Sequence, residues 1–151
     1  MRLKALFVIV SLLFVSPPLY GQTLFVSTFN GGQVIRVDAT SGSQTVIYEG
    51  SFSFLPEGVA VGPDNKVYVC DSIGGQVLRM NQDGSGVETI YRPQLFNDPY
   101  GFEGPSFLGA DLYLNTRGSG VRHTGVWKIP GVASLAFGRN FPRPVLVLSR
   151  S

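Results

Sequence analysis

One cysteine and one histidine stand in 151 residues, and only 15% of the chain is charged. A single cysteine excludes an intramolecular disulfide framework and any cysteine-rich zinc site. A single histidine excludes a multi-histidine metal centre. No segment shows a sustained 3.6-residue apolar period with caps, so no substantial helix is expected after the first 21 residues. Phosphate-binding loops, dinucleotide fingerprints and nucleophile elbows are likewise missing. What is abundant is apolar residues, at 44%, with 19 Gly and 10 Pro. That balance argues against intrinsic disorder and for one turn-rich, all-β domain.

The N-terminus reads as a leader. Arg2 and Lys4 precede an apolar run over residues 5–15, followed by Ser16-Pro17-Pro18-Leu19-Tyr20-Gly21. This is the basic, apolar, small-residue order of a secretory signal peptide, and its apolar core is shorter than a bilayer-spanning helix. The expected division is therefore a signal peptide over 1–21 and a domain over 22–151, placed in the periplasm or outside the cell. Cleavage removes two of the twelve basic residues and leaves ten of each sign. A near-neutral chain offers no field for nucleic acid. All ten acids nevertheless lie within residues 22–111, while 112–151 hold six bases and no acid. Such asymmetry is compatible with head-to-tail contact or with a locally basic, solvated edge.

The domain repeats itself. Leu24-Phe25-Val26-Ser27-Thr28 through Gln33-Val34-Ile35-Arg36-Val37 matches Val67-Tyr68-Val69-Cys70-Asp71 through Gln76-Val77-Leu78-Arg79-Met80 at an offset of 43. Val46-Ile47-Tyr48 falls on Thr89-Ile90-Tyr91 at the same offset. A looser third copy runs through Leu112-Tyr113-Leu114-Asn115, Gly125-Val126-Trp127-Lys128-Ile129 and Val145-Leu146-Val147-Leu148. Short strands recurring at this period indicate β-propeller blades of four antiparallel strands, A to D. The second unit reads as A over 58–61, B over 66–70, C over 76–80 and D over 87–91. Pro63-Asp64-Asn65, Gly74-Gly75 and Asp83-Gly84 supply the turns.

The units span about 24–50, 55–93 and 99–149, and the first starts directly at strand B. Some three blades make an incomplete ring, since propellers usually have 4–8. Either the chain is part of a longer propeller, or copies assemble as a homo-oligomer that completes the ring.

Pro56-Glu57-Gly58-Val59-Ala60-Val61, Asp64-Asn65-Lys66-Val67-Tyr68-Val69-Cys70-Asp71 and Gly75-Gln76-Val77-Leu78-Arg79 together resemble the NHL-repeat consensus. They also resemble the gluconolactonase and senescence-marker-protein family of six-bladed propellers. The match is good in the second unit, fair in the first and weak in the third. Cys70 stands where the repeat favours Ala, and Gly75 replaces its usual Asn. Motifs of this kind specify a blade far more than an activity.

Strand direction alternates, so D-to-A and B-to-C connections emerge at one end, with strand A lining the channel. Glu57 sits at the entry to strand A of the second unit. Glu103-Gly104-Pro105-Ser106-Phe107 registers on Glu57-Gly58-Val59-Ala60-Val61 with one deletion, putting two carboxylates at one channel mouth. A competing register sets Pro99-Tyr100-Gly101 on Pro56-Glu57-Gly58 and displaces Glu103. Clustered carboxylate oxygens would suit calcium or another hard divalent ion, while exposed glutamates are by default simply solvated. The resemblance implies Glu103 as a metal ligand and sets Glu57 where the family often has a ligand Asn. The family's further ligands have no counterpart here.

His123 lies with Arg117 and Arg122 in a long B-to-C loop, as a weak candidate for general base or anion contact. Cys70 and Trp127 read as packing residues, and Asp71 as a turn stabiliser. Two functions follow: a secreted scaffold binding an undefined protein or small molecule, or a metal-dependent lactone or ester hydrolase.

Overall fold

The computed structural model describes residues 22–94, 99, 101–116, 124–136, 138 and 141–149. The leader and His123 lie outside the described residues. Three antiparallel sheets stack side by side. The first contains β1 (Thr23–Thr28), β2 (Gln33–Asp38) and β3 (Gln44–Glu49). The second contains β4 (Pro56–Val61), β5 (Val67–Asp71), β6 (Gln76–Met80) and β7 (Glu88–Tyr91). The third contains β8 (Phe102–Leu108), β9 (Asp111–Thr116), β10 (Gly125–Ile129) and β11 (Val145–Ser149). Each sheet is a meander with its strands side by side in chain order. The only helical element among the described residues is a 3-10 turn at Val132–Ser134.

The register confirms the internal repeat strand for strand. Val34 opposes Ser27, Val77 opposes Cys70 and Val126 opposes Asn115, so these six residues occupy one position in three blades. In every blade the strand C–D pairing slips by one residue at the same place, between Val34 and Ile35, Val77 and Leu78, and Val126 and Trp127. Such bulges bend the outer strand and raise its twist. The turns use the expected chemistry. Asn65 turns the A–B connection at φ 59°, and Gly84 turns C–D at φ 86°. There a Cβ would fall 1.8 Å from the Ile47 carbonyl oxygen of the preceding blade, so only glycine fits.

Alternation along the strands divides the core into two layers. Val67, Val69, Leu78 and Met80 of the second blade pack with Val34, Phe25, Ile47 and Tyr48 of the first. The opposite face of that blade, through Tyr68, Cys70 and Val77, packs with Leu112, Leu114 and Ile129 of the third. Tyr68 and Tyr91 make edge-on contacts with Phe107 and Phe102 across this second layer. Among the described residues only the central blade is covered on both sides, and β5 is buried along its whole length.

Candidate functional site at the axial strands

Strand A begins in the same way in both blades that have one. β4 pairs Pro56 with Asp71 and Gly58 with Cys70, leaving Glu57 as the extra residue of a bulge. β8 pairs Phe102 with Thr116 and Gly104 with Asn115, leaving Glu103 as its bulged residue. Asp71 and Thr116 are equivalent, so Glu103 takes the place of Glu57 on the neighbouring blade. Pro99 and Gly101 lie ahead of β8. The deletion inferred from sequence falls in the shorter A–B turn of the third blade, beyond the glutamates.

The two axial strands approach closely at this point. A Cβ on Gly58 would lie 2.1 Å from the Glu103 carbonyl oxygen and 2.8 Å from Pro105 Cδ. Glycine after the glutamate is what permits the contact. On the other side, Ser27 Oγ donates to the Glu57 carbonyl oxygen at 3.4 Å. Asn115 Nδ2 donates to Glu103 Oε2 at 3.2 Å. The two bulged glutamates thus occupy equivalent positions on adjacent strands, with Ser27 and Asn115 bonded to them. Among the described residues they form no group of three or more Asp, Glu, His or Cys.

Asp71 holds this end together. One carboxylate oxygen accepts from the Leu55 and Gly74 amides at 3.1 and 3.0 Å, and the other accepts from Gln76 Nε2 at 2.9 Å. It ties the D-to-A connection to the B-to-C turn, which is the turn-stabilising role its position implied. Cys70 is fully buried, and burial pushes its thiol above the ordinary range. A protonated, enclosed thiol is an inert packing group. Trp127 packs against the layer between the second and third blades.

The polar residue that sequence reasoning passed over is Arg79. It is only 1% exposed. Its guanidinium donates to Glu88 Oε1 at 2.6 Å and to the carbonyls of Leu135 and Val132 at 2.8 and 3.3 Å. Asp64 Oδ2 lies at 3.6 Å, and the Phe141 ring centroid at 5.0 Å. Burial opposes its charge, but the hydrogen bonds to Glu88 and Tyr68 outweigh that and hold its pKa above the usual value. Arg79 therefore pins the second blade to the third. One signal was available, since the offset of 43 carries Arg36 onto Arg79 and Lys128 follows Trp127 at the same strand position. Outside this pin, a cleft of about 650 Å³ runs between β7 and the segment around Phe141 and Arg143.

No protein-family model matches the chain. No curated protein matches it either. Solved structures do. Virginiamycin B lyase from Staphylococcus aureus superposes with a TM-score of 0.61 at 15% identity, over 83% of this chain and 38% of that one. A chain of the nidogen/laminin complex gives 0.64 at 13% identity, over 86% and 45%. Kuenenia stuttgartiensis hydrazine synthase gives 0.58 at 23% identity, over 83% and 32%. The chain thus spans less than half the length of each. The lyase and nidogen likenesses are to β-propellers. With its own repeated four-strand register, this chain is a run of β-propeller blades; the likeness extends to the fold and no further.

Proposed function

We propose that the chain is an exported β-propeller module of NHL or gluconolactonase-like type that works as a binding scaffold, its two end faces completed by a second copy of itself. The observation that carries this reading is the state of the end blades. Leu24 and Val26 are 53% and 43% exposed, whereas their equivalents Val67 and Val69 are fully buried beneath the first blade. At the other end Leu148, paired with Val126, is 65% exposed. Exposed apolar rows of this kind mark contact surfaces. Each end face is the counterpart of a face that the central blade buries against its neighbour. The third blade also carries the basic end of the sequence, and the first carries two acids, Asp38 and Glu49, to one base. Two copies would bring six blades together, within the usual range for a ring. Two equivalent head-to-tail contacts would then close a two-fold dimer.

Light scattering on the full chain, as processed by the exporting host, tests this. The expected result is a discrete dimer that Leu24→Lys with Leu148→Lys converts to a folded monomer. A monomeric or heterogeneous wild type overturns it.

A second reading, hydrolysis of a lactone or ester with Glu57 and Glu103 holding a divalent ion such as calcium, is favoured by their shared bulge position on adjacent blades. On this reading Glu57 and Glu103 hold the ion, and His123, which lies outside the described residues, is a distant candidate for proton transfer. Hydrolysis that rises with added calcium and is lost in a folded Glu103→Gln variant would support it. Calcium-independent or absent hydrolysis would dismiss it.

A further inference from the structure

The cleft beside Arg79 lies away from the axial glutamates. β7 stands at the opposite edge of its sheet from β4, so the cleft opens on the outer rim, where the second blade meets the third. One wall is β7 with the residues that follow it, through Gln94. The other is Gly138 with Phe141, Pro142 and Arg143.

Glu88 fixes the two walls relative to each other. Its Oε1 accepts from Arg79 Nη2 at 2.6 Å, and its Oε2 accepts from the Gly138 amide at 3.2 Å. Arg79 in turn donates to the Val132 and Leu135 carbonyls and sets its guanidinium over the Phe141 ring. The cleft is therefore held by the same buried cation that joins the blades. Its volume of about 650 Å³ lies within the roughly 300–1,000 Å³ of small-molecule sites.

Charge and polarity define what would fit. Among the described lining residues Glu88 is the only acid, and both its oxygens are already engaged within the protein. Arg92 and Arg143 are the bases, and both are exposed. Arg92 Nη2 donates to Gln76 Oε1 at 2.7 Å, which steadies that side chain beside β6. A guanidinium carries five N–H donors, so each arginine can serve a bound anion in addition to its partners in the protein. Ile90 and Tyr91 are buried and the Phe141 ring is half-buried, so the lining also offers apolar surface. Two arginines set against apolar walls suit a monoanion, because a more heavily hydrated dianion costs more to strip of water.

We propose that this cleft binds a small organic anion, a carboxylate carried on a flat apolar body. Arg92 and Arg143 supply the charge, and Phe141 supplies the surface on which the apolar part rests. This goes beyond the scaffold reading and is independent of it. Both walls belong to one copy of the chain, so a failure to dimerise leaves the site standing.

The probe is a naphthalene carboxylate, titrated into the full chain at low ionic strength and followed by calorimetry and by amide NMR shifts. One molecule per chain should bind saturably, with the largest shifts at residues 88–92 and 141–143. The neutral naphthalene carboxamide should bind about tenfold more weakly or worse, because it lacks the charge-assisted hydrogen bonds. Arg92→Gln and Arg143→Gln should each weaken the carboxylate by about three- to tenfold with the fold intact, since both side chains are exposed. Arg36→Gln, at an exposed arginine of the first blade, should leave binding unchanged. Absence of saturable binding overturns the proposal. So do equal affinity for the carboxamide, binding indifferent to both cleft arginines, or shifts centred elsewhere on the chain.

Discussion

Replacing Arg79 by methionine tests the packing of the second blade on the third, because the side chain keeps its length while losing its charge and donors. The substitution removes the 2.6 Å bond to Glu88 and both bonds to the Val132 and Leu135 carbonyls. A hydrogen bond involving a charged group contributes about 1.5–3 kcal/mol, and breaking a buried pair from one side costs roughly 3–5 kcal/mol. The Glu88 and Asp64 side chains are each 16% exposed, so water recovers part of their solvation and the lower figure applies. The expected loss is about 3 kcal/mol, or on the order of 10 °C in melting temperature for a domain of this size. Urea unfolding followed by circular dichroism should show a lower midpoint at unchanged slope. Arg36→Met is the internal control. It occupies the same position in the first blade but is exposed, so a change within about 0.5 kcal/mol is expected. Near-equal effects of the two substitutions would refute the assignment of Arg79 as a pin between blades. A double-mutant cycle with Glu88→Gln should then show no coupling.

Gly58→Ala should destabilise by about 1–3 kcal/mol, since its Cβ meets the Glu103 backbone oxygen. Gly109→Ala, at φ +59° with open space around it, should lose only about 1 kcal/mol from backbone strain in the same denaturation assay. Asp71→Ala should cost about 2–4 kcal/mol by orphaning the Leu55 and Gly74 amides. Asp71→Asn keeps a carbonyl oxygen for those donors and should cost clearly less. Asp38, Asp83 and Asp111 all have carboxyls held below their ordinary value. The chief causes are the Ser41 amide for Asp38, the Ser85 hydroxyl for Asp83 and the Gly131 amide for Asp111. Their contribution is complete above the unfolded value of about 3.9 and is lost as pH falls through the lower folded values. Stability measured against pH should therefore drop in that acidic window, and Asp111→Asn should flatten the drop.

Much of the architecture was legible in the residues themselves. Two-residue alternation, Asn and Gly turns and the offset of 43 are local or near-local signals. They placed every strand of the second blade to within two residues and the third blade's outer three equally well. Strand A of the third blade was harder. Its register depends on whether a missing residue lies before or after Glu103, and the flanking residues do not decide that. The pairing of Phe102 with Thr116 and Gly104 with Asn115 does decide it.

The chain by itself thus determined a repeated four-strand unit and the number of its copies, because strand pairing within a blade uses neighbours only a turn apart. Tertiary structure alone decided what happens between blades. Arg79 meets its carbonyl partners 53 and 56 residues away. Glu103 reaches Gly58 across a sheet boundary. Leu24 and Val67 are interchangeable in the repeat, yet one is exposed and the other is covered. Burial depends on which blade stands alongside, and a repeat assigns the same residue type to a position whether or not that neighbour is present.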